Sequence, residues 1–409
     1  MQMLFSGHNS CLNRGCEAFV RTTAEALRGL WPSSQVQLPS RTPLADRSAL
    51  DDLRGWLQPK PRQTGIHERL VTRLQQGHGR FRATLWPGPY PRIWDRALDG
   101  TDLVIAVGGD TYSLDYGVPT GVVGFDGFAA ARGVPVILWG ASVGPFDALP
   151  GYERAMARGL AAYRLIGARE SLTHAYLADE LGLDNVAAMV DPAFALAPEP
   201  LPASAAMQGA IDEAGRIIGV NLSDLVAAQA GGEAALARVV GEWMGGLLGD
   251  PDTVVVLIPH VANPRHPGRS DGPFMQRLMA RIDLPADQAR RVVMANGHWR
   301  AGQYKQLVAG CDLLVAARTH LTIAGFSQGI PTVSLGYSQK ARGLNRDIYG
   351  TERFHVAAAE LTAKTLDDTV QAALEARETL HQQSIAYTQA GLARNQAVLA
   401  GLASLGVAA

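Results

Sequence analysis

Alternation is the feature that most constrains how this chain can fold. Short runs rich in Val, Ile, Leu and Ala recur between longer segments of helical pattern along most of its 409 residues. The runs are Met3–Ser6, Val36–Leu38, Leu103–Val107, Val136–Trp139, Leu165–Ala168 and Val186–Val190, followed by Ile217–Asn221, Val254–Ile258, Val292–Met294, Leu313–Ala316, Thr332–Leu335 and Phe354–Val356. Several are apolar throughout, as expected of parallel strands covered on both faces. Helical periodicity fills the gaps, for example at Glu17–Gly29, Glu153–Ala162, Glu170–Leu181, Ala235–Leu248 and Gly302–Ala309. Strands alternating with helices predict α/β architecture with doubly wound parallel sheets.

The alternation breaks once, at Ala195–Ala206, where Pro198, Pro200 and Pro202 disfavour any continuing helix or strand. The chain is long enough for two cores. The expected organisation is an N-terminal Rossmann-like domain over 1–195, a second over 207–375, the two facing a cleft, and a C-terminal helical segment over 376–409. Residues 41–100 stand apart as a basic, Pro- and Trp-containing insertion with an amphipathic helix expected around Ile66–Gln76. The insertion reads either as a flap over an anionic or sugar substrate or as a solvated loop.

Composition excludes several classes. Hydrophobic residues make up 47% and the net charge is −1, so no global basic field recruits nucleic acid or an anionic membrane. No apolar run reaches the ~18 residues of a membrane span. The first residues are too short and uncharged for a secretory signal, and a cytoplasmic location is expected, with peripheral membrane contact compatible. Cys11 and Cys16 form a C-x4-C with no second Cys/His pair nearby, so no metal is expected, and Cys311 reads as structural. A P-loop and an H-E-x-x-H zinc motif are absent.

The chemistry-bearing residues fall at expected strand ends, where open α/β sheets bind ligands. Ala317-Arg318-Thr319-His320-Leu321 follows the run Leu313–Ala316. Arg318 can grip phosphate or carboxylate with two parallel bonds, and His320 can move a proton near neutral pH. His260, Asn221 and Lys340 lie at other strand ends of the same half and are candidate neighbours. Arg169, in Gly167-Ala168-Arg169-Glu170-Ser171, reads as an anion contact or as half of an ion pair. In the loop Gly7–Ala18, Asn13 and Glu17 suit either sugar hydroxyls or the capping of a first helix. Gly108, Gly109 and Asp110 read as a ligand-approaching loop or a tight turn, with Asp110 a base or hydroxyl acceptor. Trp139–Pro145 is expected to be a further strand-end loop.

In order along the chain, these motifs resemble the polysaccharide pyruvyl transferase family. The matching stretches are Asn13-Arg14-Gly15-Cys16-Glu17-Ala18, Asp102–Gly109, Gly133–Pro145, Arg169-Glu170-Ser171, Val190–Phe194, Asp312–Gly325 and Pro331–Gly343. The resemblance implies a fold like GT-B glycosyltransferases, a place in cell-envelope polysaccharide synthesis, and transfer of pyruvate from phosphoenolpyruvate onto a sugar, usually as a ketal across two hydroxyls. It implies Arg318 and His320 at the phosphoenolpyruvate site, His320 as general acid, and Arg169 and Lys340 as further anion contacts. No cofactor is implied beyond phosphoenolpyruvate as co-substrate. Cys16 stands where family members often carry Asp, and Asp110 where a third glycine is usual; both fall on the presumed acceptor side. The competing expectations are a GT-B glycosyltransferase using a nucleotide sugar and a non-catalytic glycan- or anion-binding protein.

Overall fold

The computed structural model describes residues 1–60, 92–114, 117–118, 120–202, 205–262, 267–295, 297–336 and 339–404. The helix expected around Ile66–Gln76 lies outside them. The chain forms two compact units. The first comprises Met1–Cys11, Phe19–Pro192 and Gly391–Ala409; the second comprises Leu12–Ala18 and Ala193–Ala390. The division thus falls just before the proline-rich break, and the short segment Leu12–Ala18 belongs with the later half of the sequence. Arg377–Ser404 is one continuous helix, with its residues assigned partly to each unit.

In the first unit, β1 (Gln2–Ser6), β2 (Gln35–Ser40), β3 (Leu57–Pro59), β4 (Leu103–Tyr112), β5 (Val136–Val143), β6 (Leu165–Ala168) and β7 (Val186–Ala188) form one sheet in the order β3-β2-β1-β4-β5-β6-β7. All its pairings are parallel. Alternate side chains of the central strands enter two separate cores, as the two-residue period of a strand requires. Met3, Phe5, Leu103, Ile105, Ile137 and Trp139 pack on one face. Leu4, Val104, Ala106, Val136 and Leu138 pack on the other. A buried side chain of this size contributes about 1.5–3 kcal/mol, so both faces stabilise the sheet and neither tolerates polar residues.

The second unit carries β8 (Arg216–Asn221), β9 (Thr253–Leu257), β10 (Val292–Met294), β11 (Leu313–Ala316), β12 (Thr332–Gly336) and β13 (His355–Ala357), in the order β10-β9-β8-β11-β12-β13. These strands also pair in parallel. This is the strand order of a Rossmann sheet, with its reversal between β8 and β11. Val254, Val256, Ile258, Leu314 and Ala316 anchor its core.

Two expected loops are strand instead. β4 continues through Gly108, Gly109 and Asp110 to Tyr112, and β5 continues to Val143. The continuation is possible because Gly108 lies against the Trp139 and Gly140 carbonyls, where a Cβ would collide. Gly109 adopts φ +64°, and the pairing with β5 shifts register between Gly109 and Tyr112. A β-branched residue could not take that conformation, so the double glycine serves a strand irregularity.

Candidate functional site

The site builds from the switch point of the second unit. Asn221 ends β8, and Arg318 follows β11 as the N-cap of the helix Thr319–Phe326, whose second residue is His320. The fully buried Asn221 accepts from the Arg318 backbone N–H at 3.1 Å and donates to the Ile258 carbonyl at 2.8 Å. It also donates to Asp271 at 3.2 Å. Asp271 opens the helix Asp271–Met279, is completely buried, and ion-pairs with Arg318 at 2.7 Å. Asp224 lies 3.6 Å from the same guanidinium.

The segment Leu12–Ala18 completes this site. Asn13 bridges Val261 in antiparallel fashion, and the Arg14 N–H donates to the His260 carbonyl at 3.2 Å. Arg14 also ion-pairs with the buried Glu17 at 3.0 Å. Glu17 accepts from the backbone N–H of Ala301, the first residue of another helix, at 3.0 Å. Asn13 caps its own helix by accepting from the Gly15 N–H at 3.0 Å. Gly15 lies so close to the His320 ring that a Cβ there would overlap it.

His260 is 5% exposed and packs edge-on against Tyr304, with ring centroids 6.1 Å apart. Burial, reinforced by His320, Arg14 and Arg318, holds its pKa well below the usual histidine range, so the ring is neutral at neutral pH. Neither of its ring nitrogens has a hydrogen-bond partner among the described residues. A buried ring left in this way is available to a ligand atom.

Two placements differ from expectation. Asn13 and Glu17, assigned to the acceptor side with the N-terminal domain, sit in the second unit beside His260 and His320. The physical reason is the antiparallel bridge, which ties Asn13 to the segment after β9, and the Glu17–Ala301 bond, which ties the first turn of the helix Arg14–Leu30 to the start of the helix Ala301–Ala309. Lys340 lies in the first turn of the helix Gln339–Tyr349, and its side chain is outside the described residues.

Arg169 is the second difference. It belongs to the first unit, where its three guanidinium nitrogens reach Ser142 at 2.8 Å, Asp191 at 2.6 Å and Asp110 at 2.6 Å. Burial opposes its charge, but Asp110, Asp191 and Glu170 more than offset that and raise its pKa. Arg169 and Asp110, expected to serve different ligands, are therefore one another's partners. All three guanidinium nitrogens of Arg169 thus have partners within the first unit.

Other sequence signals resolve plainly. A hydrolase elbow is not expected from the sequence, yet Gly140-Ala141-Ser142-Val143-Gly144 does have its G-x-S-x-G spacing. Ser142 is buried inside β5 and bonded to Arg169 and Glu170, so no elbow forms. Cys11, Cys16 and Cys311 form no disulfide among the described residues. His8, Cys11 and Asp46 of the first unit offer ligand-type atoms within 4.8 Å of one another. Asp46, however, already accepts from His8, the Cys11 N–H, Ser40 and Thr42, which is the satisfied arrangement of a structural carboxylate.

Asp271 escaped sequence reasoning. Its context, Ser270-Asp271-Gly272-Pro273, reads as an ordinary helix start, and nothing in it points to an arginine 47 positions away.

Comparison with known structures bears out the fold. MnaA of S. aureus, solved with UDP, is similar at a TM-score of 0.62 and 12% identity, over 97% of this chain and 94% of that one. The UDP-GlcNAc 2-epimerase of Neisseria meningitidis, bound to UDP-GlcNAc, gives 0.59 and 12% identity over 98% and 100%. The α,α-trehalose 6-phosphate synthase of Burkholderia multivorans gives 0.56 and 10% identity over 99% of both chains. The fold is GT-B-like, two-domain and α/β. Residues 13–339, which include every expected site residue except Lys340, match the family described as polysaccharide pyruvyl transferase. The chain belongs to that family and is a transferase. Among the described residues no helix is long and apolar enough to cross a membrane.

Proposed function

We propose that this protein transfers the pyruvyl group of phosphoenolpyruvate to hydroxyls of a sugar or glycan, with Arg318 and His320 at the donor site. The observation that carries the reading is the placement of Arg318 and His320 together at the β8/β11 switch point, where sheets of this order bind ligands. The ligand they suit carries both a phosphate and a carboxylate.

The residues fit the reaction step by step. His320 gives a proton to the methylene carbon of phosphoenolpyruvate, which leaves C2 as an oxocarbenium-like electrophile. An acceptor hydroxyl attacks C2 and its proton passes to His320, which restores the acid. Inorganic phosphate then departs with the C2–O electrons, and a second hydroxyl closes the ketal as its proton passes to phosphate. Arg318 balances charge on the carboxylate or the leaving phosphate. His260, held neutral, and Asn221, which fixes the Arg318 backbone, complete the donor pocket. Lys340, at the next helix start, is a further phosphate contact. In the first unit, Asp110, which pairs with Arg169, and the preceding Gly108 and Gly109 are proposed to meet the acceptor. The reading needs no cofactor beyond phosphoenolpyruvate and accords with a cytoplasmic enzyme of cell-envelope polysaccharide synthesis.

A ligand panel tests it. Phosphoenolpyruvate is expected to raise the unfolding temperature of the wild type, and Arg318→Ala and His320→Ala are expected to abolish phosphate release with a competent acceptor. Stabilisation by UDP or UDP-GlcNAc but not by phosphoenolpyruvate would instead assign nucleotide-sugar chemistry. Phosphoenolpyruvate binding without turnover across a broad acceptor panel would assign a binding protein.

A further inference from the structure

The geometry assigns Asp271 as the residue that positions Arg318 for phosphoenolpyruvate, an inference that rests on the donor-site reading above. Its two carboxylate oxygens divide the work. Oδ1 accepts from Arg318 Nε at 3.1 Å and from Nη2 at 2.7 Å, gripping one edge of the guanidinium. Oδ2 accepts from the backbone N–H groups of His260 and Val261, each at 3.0 Å, and from Asn221 Nδ2 at 3.2 Å, with a longer bond from Arg318 Nε at 3.4 Å. One oxygen therefore ties the end of β9 to the end of β8, and the other aims the arginine.

Holding a planar guanidinium by its Nε–Nη2 edge fixes both its plane and the direction of the Nη1 edge. The main chain of Arg318 is fixed at the same time by Asn221, which is itself bonded to Asp271. The arginine is thus held at both ends through one closed set of hydrogen bonds. Asp271 cannot drift, because it is fully buried and its own N–H donates to the Val261 carbonyl at 2.9 Å. A side chain with so many rotatable bonds would otherwise lose its conformational freedom on binding and weaken the complex.

A competing account gives the opposite sign. If the Asp271 charge acted only through space, it would repel an anionic ligand, and neutralising it would tighten binding. The variant Asp271→Asn separates the two. Its amide oxygen can keep the Oδ2 bonds to the His260 and Val261 N–H groups, while its NH2 turns a donor toward Arg318. Three full-length proteins are compared by calorimetric titration with phosphoenolpyruvate: wild type, Asp271→Asn and Arg318→Ala, with the double variant closing the cycle. The expected result is about tenfold weaker binding by Asp271→Asn, and little further effect of that change in the Arg318→Ala background. Circular dichroism and an unfolding temperature near that of the wild type are expected to accompany the loss.

Equal or tighter binding by Asp271→Asn overturns the assignment, as does an undiminished effect in the Arg318→Ala background. Failure of Asp271→Asn to fold also overturns it, since the variant's amide oxygen keeps the bonds to the His260 and Val261 N–H groups that hold this part of the fold. A wild type that does not bind phosphoenolpyruvate refutes the donor-site reading itself and is recognised before any variant is measured.

Discussion

Gly15 and His320 occupy adjoining space, and no Cβ fits between them. Gly15 is in the first turn of the helix Arg14–Leu30, where alanine is intrinsically favoured over glycine by up to about 1 kcal/mol. Propensity and packing therefore predict opposite signs for Gly15→Ala. Packing is expected to win at the site: the His320 ring must move, and phosphoenolpyruvate-dependent stabilisation should fall by at least half. The variant should nevertheless fold, which circular dichroism checks. A Gly15→Ala protein with the wild-type ligand response would show that His320 needs no fixed position.

The Arg169 network predicts an order of costs. Asp191 is 2% exposed, whereas the Asp110 side chain is 26% exposed, and both lie 2.6 Å from the guanidinium. Removing a buried partner leaves a charge uncompensated and costs about 3–5 kcal/mol, while solvent replaces part of what a more exposed partner provides. Asp191→Asn is expected to lose about 3 kcal/mol in denaturant unfolding, and Asp110→Asn about 1 kcal/mol. The reverse order would contradict the burial argument.

A pH dependence follows from His355. Burial, aided by Arg342 and opposed by Glu352, pushes its pKa down to about 4, and its ring bonds to Ser334 at 2.9 Å. The unfolded chain takes up a proton near pH 6.5 that the folded one refuses until about 4. Stability from this group is therefore intact above pH 6.5 and falls between 6.5 and 4, by at most about 3 kcal/mol. His355→Gln should flatten that limb of a denaturation-versus-pH series.

Lys305 predicts a change at the alkaline end. Burial lowers its pKa to about 8, and its ammonium donates to the Phe194 carbonyl at 3.2 Å. Between about pH 8 and 10.5 the unfolded chain holds more protons than the folded one, so stability attributable to this group rises across that window. Lys305→Met should remove the rise, measured by the same denaturation series. It also leaves the Phe194 carbonyl without this donor, a cost of about 1 kcal/mol that is independent of pH.

Much of the fold was legible because buried parallel strands leave a dense apolar signature. Leu165–Ala168, Val292–Met294 and Leu313–Ala316 fall where their runs predict. The edge strand Leu57–Pro59 was not legible, since a three-residue strand containing proline lacks that pattern. The extensions of β4 and β5 were not legible because glycines, Gly108-Gly109 in one and Gly140 in the other, signal turns as readily as strand irregularities. Arg318 and His320 were legible as a pair because their strand is unambiguous and a strand end fixes where the following residues go.

The sequence by itself determined the alternation, the two-sheet architecture and the family, because each is carried by local pattern or by ordered motifs. Only the tertiary structure decided partnership. Arg169 belongs with Asp110 and Asp191, Arg318 with Asp271, and Gly15 with His320. The members of these pairs lie 59, 22, 47 and 305 positions apart, and which charges meet depends on strand order and register rather than on any local preference. A carboxylate that starts a helix looks the same in sequence whether it faces solvent or a buried guanidinium; the reversal of strand order between β8 and β11 is what places Asp271 beside Arg318.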